Sequence, residues 1–115
     1  MKPGNLIMDL SFQFSLDTII FTNALEDQRR YVLAKQLLKS GTSIGANVRE
    51  AQSGESKNDF IHKLKISAKE AEETEYWLLL CKHSPTLPDP GKLLTDILSI
   101  KRVIGKIIAT SKRGD

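Results

Sequence analysis

Glu70, Glu72, Glu73 and Glu75 put four carboxylates within six residues. At that density they would ligate a hard cation or run acid–base chemistry if several converged on one point. Diiron bundles need more, placing a histidine three residues after a glutamate on facing helices; no histidine stands three after any of these four. The two histidines, His62 and His83, have no second histidine in an HExxH-type array. GTSIG, from Gly41 to Gly45, lacks the Lys-Ser/Thr of a phosphate-binding loop and no strand precedes it. Cys81 has no paired base and is expected to be a packed thiol. No catalytic residue, metal ligand or cofactor is therefore expected. The carboxylates are expected on a solvated face paired with lysines such as Lys69, while Glu70 and Glu73, three apart, would accept bonds from another helix or subunit.

The cations carry the better generic signal. Arg29, Arg30, Lys35 and Lys39 gather near the start of one helical segment, Arg49 closes it, and Lys57, Lys63, Lys65 and Lys69 crowd the first half of the next. Lysines there face the positive end of the helix dipole at some cost in stability, which a bound anion would offset. Lys101, Arg102, Lys106, Lys112 and Arg113 form a further basic set. The clusters read as lacking interleaved aromatic residues, which points to phosphate contact without base stacking. An ordinary charged surface explains the same residues in a monomer, whereas repetition around a ring would build a continuous positive field.

The elements that must position these groups read as four helices. Residues 1–10 are expected to be an irregular arm, broken by Pro3 and Gly4. Helix one then runs from Ser11 with Phe12, Leu16, Ile19, Ile20 and Asn23 on one face, its β-branched residues leaving a strand as the alternative. Helix two runs from near Arg30 to about Gln52. Ala34, Leu37, Leu38, Gly41, Ile44, Gly45, Val48 and Ala51 keep helical phase through the glycines, although Gly and Ser also punctuate turns. Gly41 and Gly45 would sit one above the other and bare a strip for a close neighbour. Gly54 stops this helix, and Ser56 with Asp59 caps helix three, Lys57 to Lys82. Its stripe is Phe60, Ile61, Leu64, Ala68, Ala71 and Leu78, with Ile66, Tyr76, Trp77 and Leu80 outside it. That excess implies either subunit association or a wide monomer core around Trp77. Asp89 and Pro90 would open helix four, which reaches about Ser111 through Leu93, Ile97, Ile100, Ile104, Ile107 and Ile108, leaving a frayed tail at 112–115.

A chain of 115 residues with such short connections is expected to be one domain over 1–115, an all-α antiparallel up-down four-helix bundle. Net charge is +3 from 17 basic and 14 acidic residues. The single cysteine excludes an internal disulfide. With no signal-peptide pattern and no apolar run long enough to span a bilayer, a cytoplasmic protein without membrane contact is expected.

From Leu37 to Leu78, about a third of the chain, specific motifs accumulate: SGTSIGAN, then Arg49-Glu50-Ala51, the Ser56/Asp59-Phe60-Ile61 start, and Lys69-Glu70-Ala71 through Glu73-Thr74-x-Tyr76-Trp77-Leu78. In these the chain resembles the four-helix-bundle proteins encoded in intervening sequences of 23S ribosomal RNA genes. The resemblance implies a homopentamer with a central channel and no enzymatic activity. It extends to the accessory proteins of diversity-generating retroelements, basic pentameric barrels that bind nucleic acid and a reverse transcriptase. It also implies that Ser40, Gly41, Ser43, Gly45 and Asn47 form the close-packing part of helix two, toward Trp77; we further expect Ser43 and Asn47 to bond to backbone or to Glu70, Glu73 and Tyr76 of helix three. A charge of +3 is modest beside those retroelement proteins. The leading expectation is a non-catalytic scaffold of self-associated copies touching RNA or DNA phosphates through Arg29, Arg30, Lys35, Lys39, Arg49, Lys57, Lys63 and Lys65. The alternative is an adaptor whose apolar excess docks another protein.

Overall fold

The computed structural model describes residues 5–114 and contains α1 (Leu6–Asp27), α2 (Tyr31–Ala51), α3 (Lys57–His83) and α4 (Lys92–Lys112), with no strand among the described residues. Each helix packs closely on its neighbours in the cycle α1, α2, α3, α4 and back to α1, while the backbones of the diagonal pairs stay apart across the shared core. The body measures 47 × 24 × 21 Å.

Helix α1 departs most from expectation. It begins at Leu6, because the Asn5 side chain caps it by accepting from the Met8 amide at 3.3 Å. Only residues 1–4 of the expected arm lie outside the described residues. The face carrying Phe12, Leu16, Ile19 and Ile20 is the solvent face, at 51, 41, 45 and 68% exposed. The buried face is Ile7, Ser11, Phe14, Thr18, Thr22 and Leu25. Its hydroxyls satisfy themselves locally: Ser11 donates to Ile7 O at 2.7 Å, Thr18 to Phe14 O at 2.8 Å and Thr22 to Ile19 O at 3.0 Å. A back-bonded hydroxyl carries no unmet polar demand, so these residues pack as small fillers.

Small fillers are what the glycines of α2 meet. A Cβ on Gly41 would lie 2.8 Å from Thr18 Cγ2, and one on Gly45 would lie 3.2 Å from the Ser11 carbonyl oxygen. The expected unbroken helix and its bare strip are both present, and the neighbour drawn close is α1. On its other side α2 meets α3 through buried polar contacts. Ser67 Oγ donates to Ile44 O at 2.9 Å, and Thr74 Oγ1 lies 2.9 Å from Ser40 Oγ. Leu37, Ile44, Val48, Leu64, Ala71, Leu78, Ile97, Ile100 and Ile104 fill the interior between the helices.

The turns follow from local chemistry. Arg30 N donates to Leu25 O at 2.9 Å and Arg29 N to Glu26 O at 2.8 Å, the double bond pattern that ends a helix on a left-handed residue. Arg29 occupies that position with φ 60°, where glycine is usual. Ser56 accepts from the Asp59 amide at 3.1 Å and starts α3 as expected. Helix α4 starts later than expected, at Lys92, because Asp89 Oδ1 accepts from Gly91 N at 3.0 Å and Gly91 adopts φ 56°. At its far end, Gly114 N donates to Ser111 O at 3.1 Å, so the expected frayed tail is a closed turn through Gly114 and only Asp115 lies outside the described residues. No helix among the described residues is long and apolar enough to cross a membrane.

Candidate nucleic-acid interface

The cations of the sequence do not form one patch. Arg29 and Arg30 lie at the α1–α2 turn, beside the α3–α4 loop, where Arg30 Nη2 donates to Thr86 Oγ1 at 3.4 Å. Lys35 and Lys39 stand exposed along α2. Arg49, Lys57, Lys63 and Lys65 are at or toward the other end, around the α2–α3 connection and the last turn of α4.

Partners sort them further. Lys63 is held by Glu50 at 2.8 Å, across α2 and α3. Lys65 meets Lys112 of α4, and that contact between two ammoniums holds Lys65 below the ordinary lysine range. Lys101 plays the opposite part, bridging Glu72 at 2.8 Å and Glu75 at 2.6 Å, and those two carboxylates raise its pKa. It ties α4 to α3 and leaves the basic set.

The carboxylates of α3 point to structure. Among the described residues no group of three or more His, Cys, Asp or Glu side chains is placed to hold a metal. Burial raises the Glu70 pKa, Glu73 adds to the rise and Lys39 opposes it. Glu73 accepts from the Trp77 indole at 3.2 Å, so its partner lies on its own helix. Burial also raises the Cys81 thiol pKa, as for a packed thiol. His62 lines a shallow cleft with Glu55, Asp59 and Lys63.

Of the two alternatives expected for Ser43 and Asn47, the structure shows backbone and not the side chains of α3. Ser43 donates to Lys39 O at 2.7 Å and Asn47 to Ser43 O at 2.9 Å, both within α2. Ser40 and Ser67 carry the cross-helix polar contacts instead, because they lie on the buried faces while Ser43 and Asn47 are turned partly to solvent.

The expected separation of cations from aromatics is corrected as well. A cleft of about 460 Å³ is lined by Arg29, Arg30, Tyr31, Val32, Trp77 and Leu87 among others. Tyr31 directly follows the arginine pair, a signal visible in the sequence, and folding adds Trp77 from α3. The Tyr76 ring meets the Trp77 indole edge-on, with centroids 5.3 Å apart.

Comparison with known proteins agrees with this architecture. No curated protein matches the chain. A crystal structure of a Bacteroides thetaiotaomicron protein of unknown function, from the S23 ribosomal protein family, superposes with a TM-score of 0.84 at 39% identity, covering 89% of this chain and 97% of that one. The family described as 23S rRNA-intervening sequence protein matches residues 5–106. On both counts, this chain belongs to the 23S rRNA-intervening sequence protein family.

Proposed function

We propose that the protein is a non-catalytic scaffold: an up-and-down antiparallel bundle whose copies close into a ring, a pentamer by resemblance, and whose cations contact RNA or DNA phosphates. The antiparallel order is supported by cross-helix pairs that run in opposite senses. Along α2 and α3 these are 50 with 63, 44 with 67 and 40 with 74. Along α1 and α2 they are 18 with 41 and 5 with 52.

The observation that carries the ring is where large apolar side chains remain exposed. Leu6, Phe12, Leu16, Ile19 and Ile20 lie on α1 and Tyr76, Leu79 and Leu80 on α3, with Tyr31, Val32 and Leu38 on α2 and Leu98 on α4; the α1 and α3 groups are the proposed contact faces. Helices α1 and α3 are diagonal in the cycle, so their outer faces look in opposite directions. Two different apolar faces pointing apart favour a head-to-tail contact, which closes when the rotation per copy divides a full turn. Closure would repeat the Lys65–Lys112 and Arg29–Arg30 groups around an axis and raise the local potential.

Light scattering coupled to size-exclusion chromatography tests the ring, with a multiple of the 12.9 kDa chain expected. A gel-shift titration with structured RNA and duplex DNA tests the second part. Binding that weakens steeply with salt is expected, and no retardation at low salt would remove the nucleic-acid role. The same exposed apolar faces favour an adaptor as the second reading. A monomer that captures a nuclease-insensitive protein partner from its host would select it.

A further inference from the structure

Among the described residues, one cleft brings two guanidinium groups together with two aromatic rings. It lies between the α1–α2 turn and the α3–α4 loop, with a volume of about 460 Å³ and mostly carbon walls from Tyr31, Val32, Trp77 and Leu87. Arg29 and Arg30 line it as well. Neither makes an ion pair among the described residues, and the Arg30 guanidinium is held only by the long bond to Thr86. The Trp77 ring is pinned from two sides, by the Glu73 carboxylate at its Nε1 and by the edge-on Tyr76 ring. A fixed indole next to two unpaired guanidiniums suits a ligand with a flat, weakly polar body and an attached anion.

We propose that this cleft takes one unstacked base of a single-stranded nucleic acid, packed against Tyr31 and Trp77, with the adjoining phosphate on Arg29 and Arg30. The inference rests on the nucleic-acid reading above and narrows it from phosphate contact alone to strand-state recognition. Every base has an aromatic face, so such a site tolerates sequence. A duplex keeps its bases stacked and presents only phosphates, so it cannot fill the cleft. Apolar walls alone would suit a protein side chain equally, and the unpaired arginine charge favours the nucleotide.

Trp77 is the single tryptophan of the chain, so intrinsic fluorescence reports on this cleft alone. The full-length protein is titrated with a short oligothymidylate, an oligouridylate of equal length, and a duplex of that length. Saturable quenching by either single strand is expected, with the duplex at least about tenfold weaker. Tyr31→Ala should weaken the single-strand titration by about tenfold; Tyr31 is 59% exposed, so its truncation spares the core, and unchanged circular dichroism checks this. Replacing both arginines by alanine should flatten the salt dependence. Gel retardation of the oligonucleotides without quenching would overturn the cleft and leave phosphate binding standing. Neither retardation nor quenching would sink both. A fluorescence change that follows protein concentration and ignores oligonucleotide would assign the cleft to a second copy and overturn the proposal.

Discussion

Two sides of the bundle are held together by opposite means. Where α1 meets α2, the contact is made of glycine, serine and threonine, and a single added carbon at Gly41 would come within 2.8 Å of Thr18. On α4 the buried face is Leu93, Ile97, Ile100 and Ile104, and its glycine, Gly105, has nothing within 4 Å of a built Cβ. One seam is closed by removing volume and the other by filling it. Volume changes should therefore have opposite consequences on the two sides.

The largest effect is expected on the filled side. Ile104 is fully buried, and Ile104→Ala should cost about 2–5 kcal/mol, because transfer and cavity terms add. Denaturant unfolding measures it. A loss no larger than that of an exposed substitution would show that α4 is loosely packed and remove the contrast.

Adding volume at the bare seam comes next. Alanine favours a helix interior over glycine by about 1 kcal/mol, yet overpacking costs about 1–3 kcal/mol. Gly41→Ala should therefore destabilise on balance. Thr18→Ser deletes the methyl that a new Cβ would strike; alone it should cost about 1 kcal/mol for the lost buried methyl, and the double variant should lose less than the sum of the two. Strict additivity in this cycle would mean that Gly41 is not limited by Thr18. Gly105→Ala, with the same chemistry in open space, should instead gain about 1 kcal/mol.

This contrast explains what could be read from sequence and what could not. Gly41 and Gly45 stayed in phase with Leu37, Ile44 and Val48, so their strip was visible. Ser56 with Asp59 marked the start of α3, since a cap depends only on neighbours in the chain. Helix α1 misled because hydrophobicity ranks Phe12, Leu16 and Ile19 above Ser11, Thr18 and Thr22. Back-bonding removes the polar cost of those hydroxyls, and the glycines facing them select for small size. Asp89 and Pro90 imitated a helix start, but the positive φ of Gly91 delays it. The Trp77–Arg30 neighbourhood required tertiary structure, since Trp77 lies on α3 and Arg30 in the α1–α2 turn, far apart in sequence.

The smallest effect concerns the ion-pair tie between α3 and α4. Lys101 reaches both Glu72 and Glu75, and its pKa is raised above the ordinary 10.5 by bonds to them. The sign is fixed by linkage: a group whose folded pKa lies above its unfolded value contributes stability that is complete below the unfolded pKa and is lost as pH rises through the folded one. Lys101→Met keeps most of the side-chain volume and removes the charge. The stability difference between parent and variant should hold steady through neutral and mildly alkaline pH, then shrink as pH climbs past 10.5. The bridge is partly solvated, so added salt should reduce the difference at neutral pH as well. Thermal melts of the two proteins across that range measure the trend. A difference that stayed flat as pH climbed past 10.5 would mean that packing of the lysine stem, and not its charge, joins α4 to α3. The filled seam would then hold by volume alone.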